Sequence, residues 1–163
     1  MKALSLLQPW AEFVLIGWKP WENRKCPTRH RGPLVVHCSK GWDKEGEAWI
    51  RENWNLLAPK EMRGKQYLEQ ILTTARTRRG CFAGVVQVAD CLPHHQVQPG
   101  SPWAFGPYCW RITTPCMTIP LPGPGRHGLF EFDGSLFYTD GTGPMLAVVL
   151  AGEFTDRGRE FMT

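Results

Sequence analysis

Gly17, Lys19, Glu22 and Arg24 bring a turn-forming residue, an ammonium, a carboxylate and a guanidinium close together in the chain. Such a set can bind a flat, polar, partly anionic group such as a nucleotide. A guanidinium pairs with phosphate through two parallel hydrogen bonds, and a carboxylate accepts from exocyclic amines. The same set can assist a proton transfer. The other interpretation is a salt-bridged turn on the surface, in which Glu22 and Arg24 only brace a strand.

The residues on either side of this cluster predict a helix, a turn and a strand. Pro9 suits the first position of a helix, which we expect to run to about Ile16 and to end at Gly17. Pro20 has no N–H, so regular strand pairing is expected only from Trp21 onward. The cluster therefore lies where a turn leads into a strand.

The alternation of side chains along this strand decides which charged groups meet. Successive side chains point to opposite faces, so Glu22 and Arg24 share one face of the strand. Trp21 and Asn23 lie on the other face. Lys19 lies in the preceding turn, which lets it approach Glu22 although strict alternation would forbid this. The sequence thus predicts three charged groups on one side of the strand.

The remaining sequence predicts short strands and two longer helices. Apolar residues recur at helical spacing over residues 43–56 and 59–78, and a segment rich in proline and glycine over residues 93–107 predicts a loop. Strands are predicted over residues 2–7, 34–38, 81–92, 108–119 with a break at Pro115, 129–132, 136–138 and 145–150. This mixture predicts an α+β fold. The length favours one domain over residues 1–163.

The pattern Gly-x-Lys-x-x-Glu-x-Arg resembles the signature of the ASCH domain family, which belongs to the PUA-like group of small β-barrels. Further segments resemble the family's strands and its Gln-Pro-Trp helix start: Leu4–Ala11, Arg31–His37, Gly84–Cys91 and Tyr108–Ile112. The resemblance covers residues 3–132, and residues 133–163 less well. It implies a small PUA-like β-barrel with flanking helices and a helical insertion.

The resemblance also implies nucleic-acid binding, because the signature residues of the family line a cleft. The expected partner is RNA, another single-stranded nucleic acid or a modified nucleoside. The residues expected to bind the ligand are Lys19, Glu22, Arg24, Gln8, Trp10, Trp18, Trp21 and Trp103. Phosphate contacts are expected from Lys25, Arg29 and Arg31. The oligomeric state stays open.

The eight tryptophans are many for this length, and each has two interpretations. A ring beside the cleft can stack a base, which is worth roughly 1–3 kcal/mol per base. A ring in the core instead contributes buried apolar area. We expect Trp49, Trp54 and Trp110 to belong to the core. The four tryptophans named as ligand contacts keep both interpretations.

An enzyme is the alternative that the resemblance leaves open. Some members of the family are amidohydrolases that remove the acyl group from acetylated cytidine, with the signature lysine beside a threonine three residues later. This chain has Lys19 but carries Glu22 at the second position. A glutamate can act as a general base but not as a hydroxyl nucleophile. Ribonuclease activity is also attached to relatives. If the protein is a hydrolase, Lys19 and Glu22 are its catalytic candidates. A module that binds proteins through aromatic rings is a third possibility.

The net charge of +4 is unevenly distributed. Residues 19–31 hold five basic residues and one acidic residue, and residues 60–79 hold six basic residues and two acidic residues. Each stretch therefore carries +4, and the rest of the chain is acidic. Two basic stretches suit contacts with phosphates, and a solvated helix face is the alternative for the second.

Clusters of histidine and cysteine do not indicate a metal site. Residues 91–95 contain one cysteine and two histidines, and His37 and Cys38 are adjacent. Zinc ligands usually recur in pairs at tighter spacing, so we expect no metal and no cofactor. Adjacent histidines in a proline-rich loop are more often simply exposed.

The cysteines and the start of the chain bear on the compartment. The six cysteines show no Cys-x-x-Cys pair, and several lie in apolar strand patterns. This favours a reduced, cytoplasmic protein. The apolar run after Lys2 is interrupted at Gln8 and Pro9, so we expect neither a signal peptide nor a membrane span.

Overall fold

A computed structural model describes residues 1–97, 100–139 and 144–147. Within these ranges the chain forms a six-stranded sheet, a two-stranded sheet and three α-helices. The strands are β1 (Lys2–Gln8), β2 (Trp21–Arg24), β3 (Gly32–Trp42), β4 (Cys81–Pro93), β5 (Tyr108–Pro122), β6 (Leu129–Glu131), β7 (Leu136–Thr139) and β8 (Pro144–Ala147). The helices are α1 (Trp10–Leu15), α2 (Lys44–Leu57) and α3 (Lys65–Thr77).

The larger sheet has the strand order β2-β5-β4-β3-β1-β6. β1 and β3 run parallel, and the other neighbouring pairs in this sheet are antiparallel. Helices and a mixed sheet together confirm the α+β class. Over the described ranges, the end strands β2 and β6 do not pair with each other. Closure into the expected barrel is therefore not confirmed.

The strand predicted to break at Pro115 is continuous in the structure, so that prediction is wrong. Val85 of β4 pairs with Cys116, and Gln87 pairs with Thr113. β5 therefore carries one residue more than β4 at this point, which is a β-bulge. A bulge accepts a proline because the extra residue makes no ladder hydrogen bond.

The two predicted helices are both present, one of them interrupted. The helix predicted over residues 43–56 is α2, and its N-cap Asp43 accepts a hydrogen bond from the Gly46 N–H at 2.8 Å. The helix predicted over residues 59–78 divides into a 3₁₀ turn at Lys60–Met62 and α3. Gly64 between them has extended backbone angles, φ −61° and ψ 138°. Of the last predicted strand, residues 148–150 lie outside the described residues.

α1 lies between two hydrophobic clusters. Val14 and Leu15 pack into the main core against the sheet. Phe13 packs into a second cluster, rich in tryptophan, with residues of α2 and α3. Because both sides of α1 are buried, the end of this helix has a fixed position. Among the described residues, no helix combines the length and the apolar character needed to cross a membrane.

The turn after α1 is defined by a left-handed glycine and two backbone hydrogen bonds. Gly17 has φ +78°, and a Cβ there would lie 3.1 Å from Pro115 Cγ. The N–H groups of Trp18 and Lys19 both donate to the Phe13 carbonyl at 3.0 Å. These bonds end the helix as predicted and fix the backbone from which Lys19 projects.

Candidate functional site

The Lys19 ammonium is buried and is held by its own neighbours. Nζ donates to Glu22 Oε2 at 2.7 Å and to the Trp21 carbonyl at 2.6 Å. It also lies 5.8 Å from the centroid of the Trp10 ring. Only 2% of the Lys19 side chain is exposed. The predicted approach of Lys19 to Glu22 across the turn is confirmed.

Glu22 is the carboxylate between the two cationic groups. Lys19 occupies Oε2, while Oε1 lies 3.7 Å from Arg24 Nη1, which is too long for a good hydrogen bond. Within the described part of the chain, Oε1 makes no hydrogen bond. The side chain is 9% exposed. Glu22 thus presents one carboxylate oxygen, in a fixed orientation, that can still accept a donor.

Arg24 lies on the same face of β2 as Glu22. Its guanidinium carbon is 5.9 Å from the centroid of the Trp110 ring, and 30% of its side chain is exposed. β2 pairs with β5 so that Glu22 faces Trp110 and Arg24 faces Tyr108. The cation–π contact stabilises the guanidinium at the surface while leaving its N–H groups free to donate.

Glu22 and Arg24 line a common recess of about 420 Å³. This volume is within the range of small-ligand pockets. The recess is lined by Ser5, Leu6, Leu7, Trp10, Glu22, Asn23, Arg24, Ser39, Arg126, His127 and Gly128. Lys19 does not line it but lies behind Glu22. Of the expected cluster, the structure therefore brings the carboxylate and the guanidinium to a shared recess and places the ammonium beneath them.

The opposite wall of the recess comes from β1, β3 and residues 123–128, which we call the β5–β6 segment. Two of its members, Arg126 and His127, are exposed. Neither residue was found from the sequence. They follow a run of proline and glycine, and they lie about a hundred residues from the signature, so no local pattern connects them to it.

Hydrogen bonds fix the β5–β6 segment to β1 and β3. His37 Nε2 lies 3.0 Å from the Gly123 carbonyl, and His37 Nδ1 lies 3.1 Å from Ser5 Oγ. Ser5 Oγ in turn accepts from the Arg126 N–H at 3.2 Å. Burial lowers the pKa of His37, so a neutral imidazole suits this position. The segment is therefore held by a continuous hydrogen-bonded chain.

Of the four candidate tryptophans, Trp10 lines the recess. Its Nε1 donates to Asp43 Oδ2 at 2.8 Å. Its ring packs against Trp49 at 6.0 Å and Phe105 at 5.8 Å between centroids. Phe105 is exposed, so it extends the aromatic surface beyond Trp10, and sequence reasoning missed it.

The other three candidate rings pack toward the second hydrophobic cluster. Trp18 stacks on Trp54 with centroids 5.6 Å apart and ring planes at 26°. Trp103 is buried and packs edge-on against Trp10 at 6.5 Å. Trp21 packs against the same cluster. None of the three lines the recess. The expected core positions of Trp54 and Trp110 are confirmed, and Trp49 is half-buried.

Gln8 is not brought to the recess. It is fully buried, and its amide is engaged at both ends: Oε1 accepts from the Glu12 N–H at 3.1 Å, and Nε2 donates to the Arg78 carbonyl at 2.9 Å. Beside it, the Glu12 carboxylate accepts from Arg78 Nη1 at 2.6 Å. Burial raises the pKa of Glu12, and Arg78 opposes that shift. These contacts join α1 to the end of α3.

The three residues expected to contact phosphate differ in their surroundings. Arg31 Nη2 pairs with Asp90 Oδ1 at 2.9 Å, and Arg31 Nη1 donates to the carbonyls of Thr28 and His30. Lys25 and Arg29 are exposed. Neither forms an ion pair with any residue in the described ranges. Lys25 and Arg29 are thus available to an external anion, whereas Arg31 is partly neutralised.

The second basic stretch takes part in ion pairs through Arg76 and Arg78. Arg76 pairs with Glu47 at 3.3 Å and lies 4.8 Å from the Trp42 ring centroid. Arg51 of α2 binds both Glu47 and Glu69, which lowers the pKa of Glu69. Among the described residues, two of the six basic side chains over residues 60–79 are therefore matched by carboxylates.

The structure groups no metal-binding set of three His, Cys, Asp or Glu side chains among the described residues. His94 Nε2 lies 3.0 Å from the Ala104 carbonyl, so this ring contacts its own loop. All six cysteines are free thiols. Cys38 and Cys81 are register partners on neighbouring strands, and the hydrogen bond between their thiols raises the pKa of Cys38 and lowers that of Cys81.

Fold and site together define an α+β domain with an open, cationic recess beside a buried lysine–glutamate pair. Residues 4–105 match the ASCH domain model, which is more than half of the chain, and the chain therefore belongs to the ASCH domain family. It is similar to Activating signal cointegrator 1 of Mus musculus, with 30% identity over 105 residues.

This similarity is limited to part of each protein. The aligned residues make up 61% of this chain and 16% of Activating signal cointegrator 1, so the chain spans less than a fifth of that relative. The family match stops at residue 105. β5 and the β5–β6 segment, with Arg126 and His127, therefore lie beyond the matched range.

Proposed function

We propose that the recess binds one nucleotide of RNA or of another single-stranded nucleic acid, or a modified nucleoside. The observation that carries this proposal is the Glu22 carboxylate, which faces the recess with Oε2 held by Lys19 and Oε1 open. A carboxylate in a fixed orientation can accept from the exocyclic amine of a base. The base must be unpaired to enter, which favours single strands.

The charge of the recess supports an anionic ligand. Lys19 and Glu22 neutralise each other at 2.7 Å, so the guanidinium of Arg24 is left as positive charge on this wall. Lys25 and Arg29 follow on the exposed segment after β2. In this proposal they bind the phosphates that flank the bound nucleotide, and Arg31 contributes less because Asp90 already pairs with it.

The aromatic surface supports contact with a base. Trp10 lines the recess and Phe105 extends the same surface outward. A base stacked on an aromatic ring gains roughly 1–3 kcal/mol, whatever its identity. In this proposal Trp10 provides affinity without base preference, and Glu22 provides the preference.

Binding to a labelled single-stranded RNA of mixed sequence, titrated at several salt concentrations, tests the proposal. The logarithm of affinity should fall linearly with the logarithm of salt concentration. Arg24→Ala should weaken binding. Arg111→Ala is the matched control, because Arg111 is exposed and pairs with Trp21, on the face of the strand pair away from Glu22. If the protein ignores RNA and single-stranded DNA even at low salt, the proposal fails.

A hydrolase is the second candidate, because Lys19 and Glu22 form a hydrogen-bonded acid–base pair beside the recess. In that function Glu22 acts as general base toward water, and Lys19 orients it. Incubation with acetylated cytidine and with labelled RNA tests this activity. Turnover that disappears in Lys19→Ala would support the hydrolase, and turnover that persists in this variant would exclude the pair from the chemistry.

We also propose that residues 1–163 form a single domain based on a PUA-like barrel. Phe132 and Leu136 pack into one cluster with Ala3 and Val35, which ties the later strands to the first ones. Register shifts within the β1–β3, β3–β4 and β4–β5 pairs allow the sheet to curve. The reduced, cytoplasmic setting expected from the cysteines also stays a proposal.

A further inference from the structure

Arg126 lines the same recess as Glu22 and Arg24 of the signature but comes from a distant part of the chain. Like Arg24 it lines the recess and is accessible to solvent. No ion pair holds Arg126 within the described ranges. Among the described residues that line the recess, Glu22 is the one acidic side chain, and Lys19 already neutralises it. Two guanidinium groups therefore border one recess: Arg126 has no anionic partner within the described ranges, and Arg24 has only the shared carboxylate of Glu22 at 3.7 Å.

The backbone at Arg126 has a defined position. The Gly123 carbonyl can only accept, so His37 Nε2 carries the proton and His37 Nδ1 accepts from the Ser5 hydroxyl. The oxygen of that hydroxyl then accepts from the Arg126 N–H. Each donor among these groups thus has an acceptor. The three hydrogen bonds together fix the backbone of the segment that carries the Arg126 side chain.

Close packing at Gly125 reinforces this position. A Cβ at Gly125 would collide with His37 Nδ1 and with Ser5 Oγ. The backbone of the β5–β6 segment therefore lies directly on the two side chains that bind it. A fixed backbone reduces the entropy that Arg126 must lose when it binds an anion.

We propose that Arg126 is a second phosphate-binding residue and that the recess takes a nucleotide together with its phosphate rather than a free nucleoside. This inference rests on the proposed function, because it assigns the base to Glu22 and Trp10. Arg24 and Arg126 hold the phosphate between them through charge-assisted hydrogen bonds. The open oxygen of Glu22 would repel a phosphate placed directly on it, so phosphate and base occupy different parts of the recess.

Calorimetric titration with cytidine, cytidine 5′-monophosphate and inorganic phosphate tests the inference. The wild-type protein should bind the monophosphate about tenfold more tightly than cytidine, which corresponds to one effective ionic contact. Arg126→Ala should remove most of this preference and leave the affinity for cytidine unchanged. Arg111→Ala, an exposed arginine on the other face of the sheet, should keep it.

A second variant addresses the position of the segment. Gly125→Ala forces the segment away from Ser5 and His37 without changing any charge. It should reduce the preference for the monophosphate as Arg126→Ala does. Thermal unfolding of each variant shows whether the rest of the fold is kept.

The results separate the two proposals. If Arg24→Ala weakens the binding of RNA and of the monophosphate but Arg126→Ala changes neither, the nucleotide site survives and the role of Arg126 is overturned. Equal affinities for cytidine and its monophosphate would also overturn it, as would inorganic phosphate binding as tightly as the monophosphate. If no nucleoside, nucleotide or RNA binds, the proposed function itself fails.

Discussion

Lys19 Nζ lies 2.7 Å from Oε2 of Glu22, a residue three positions further along the chain, and both side chains are at least nine-tenths buried. The pair couples the end of α1 to the start of β2. It also determines which carboxylate oxygen of Glu22 can reach a ligand. In the proposed function, stability and recognition therefore depend on the same contact.

Lys19→Met should destabilise the fold by about 3 kcal/mol, because it leaves a buried carboxylate without its partner. This loss lies at the lower end of the range expected when a buried ion pair is broken, since Glu22 Oε1 faces the recess. Urea unfolding measures the change. In a double-mutant cycle with Glu22→Leu, the combined variant should lose less than the sum of the two single losses. Additive losses would show that the pair contributes no coupling.

Glu22→Gln should invert base preference rather than abolish binding. The Lys19 ammonium can only donate, so it should attract the oxygen of the introduced amide and turn the NH₂ group toward the recess. The recess would then present a donor where it now presents an acceptor. Cytidine monophosphate should lose affinity relative to uridine monophosphate, measured by competition titration. An unchanged ratio would mean that Glu22 does not contact the base.

Lys25→Ala and Arg29→Ala should each weaken RNA binding to a similar extent for all sequences. Each exposed cation that neutralises one phosphate contributes a slope of about 0.7 to the dependence of log affinity on log salt for single strands. The slope should fall by that amount in each variant. Arg31→Ala should change it less, because Arg31 is paired with Asp90 at 2.9 Å. A loss confined to certain sequences would contradict a phosphate role.

His37 should make the folded state sensitive to acid. Burial lowers the pKa of His37 below its ordinary value of 6.5, so the unfolded chain takes up the proton first as the pH falls. The stability that neutral His37 contributes to the folded state is fully present above pH 6.5. It is lost as the pH falls through the folded-state pKa of His37. Urea unfolding at several pH values measures the free energy of unfolding. In His37→Gln this free energy should fall less with decreasing pH than it does in the wild type. His95→Gln, at an exposed position, is the control and should keep the wild-type profile.

The signature side of the site follows from local sequence. Gly17, Lys19, Glu22 and Arg24 lie within one turn and one short strand, where glycine conformation and side-chain alternation determine the geometry. The burial of Lys19 does not follow from these rules, because it depends on α1 packing against both hydrophobic clusters. Sequence alone therefore placed three charges together and could not tell which one would be covered.

The far wall of the recess depends on contacts that are distant in sequence. Ser5 and Arg126 are brought together by the pairing of β1 with β3 and β6, and a strand's pairing partners are not encoded in its own alternation. The pairing of Arg31 with Asp90 has the same origin. For Trp18 and Trp103, the choice between core and cleft depends on the second hydrophobic cluster, which brings α1 together with α2 and α3.

The hydrogen bonds that hold the β5–β6 segment use the main chain at Gly123 and Arg126, not the arginine side chain. The residue type at position 126 can therefore change without loss of those anchors. An acidic residue there would suit a cationic ligand, and a small apolar one would widen the cavity. If the recess binds a ligand as proposed, one substitution at position 126 would therefore be enough to change which ligand it prefers, while the backbone of this wall stays in place.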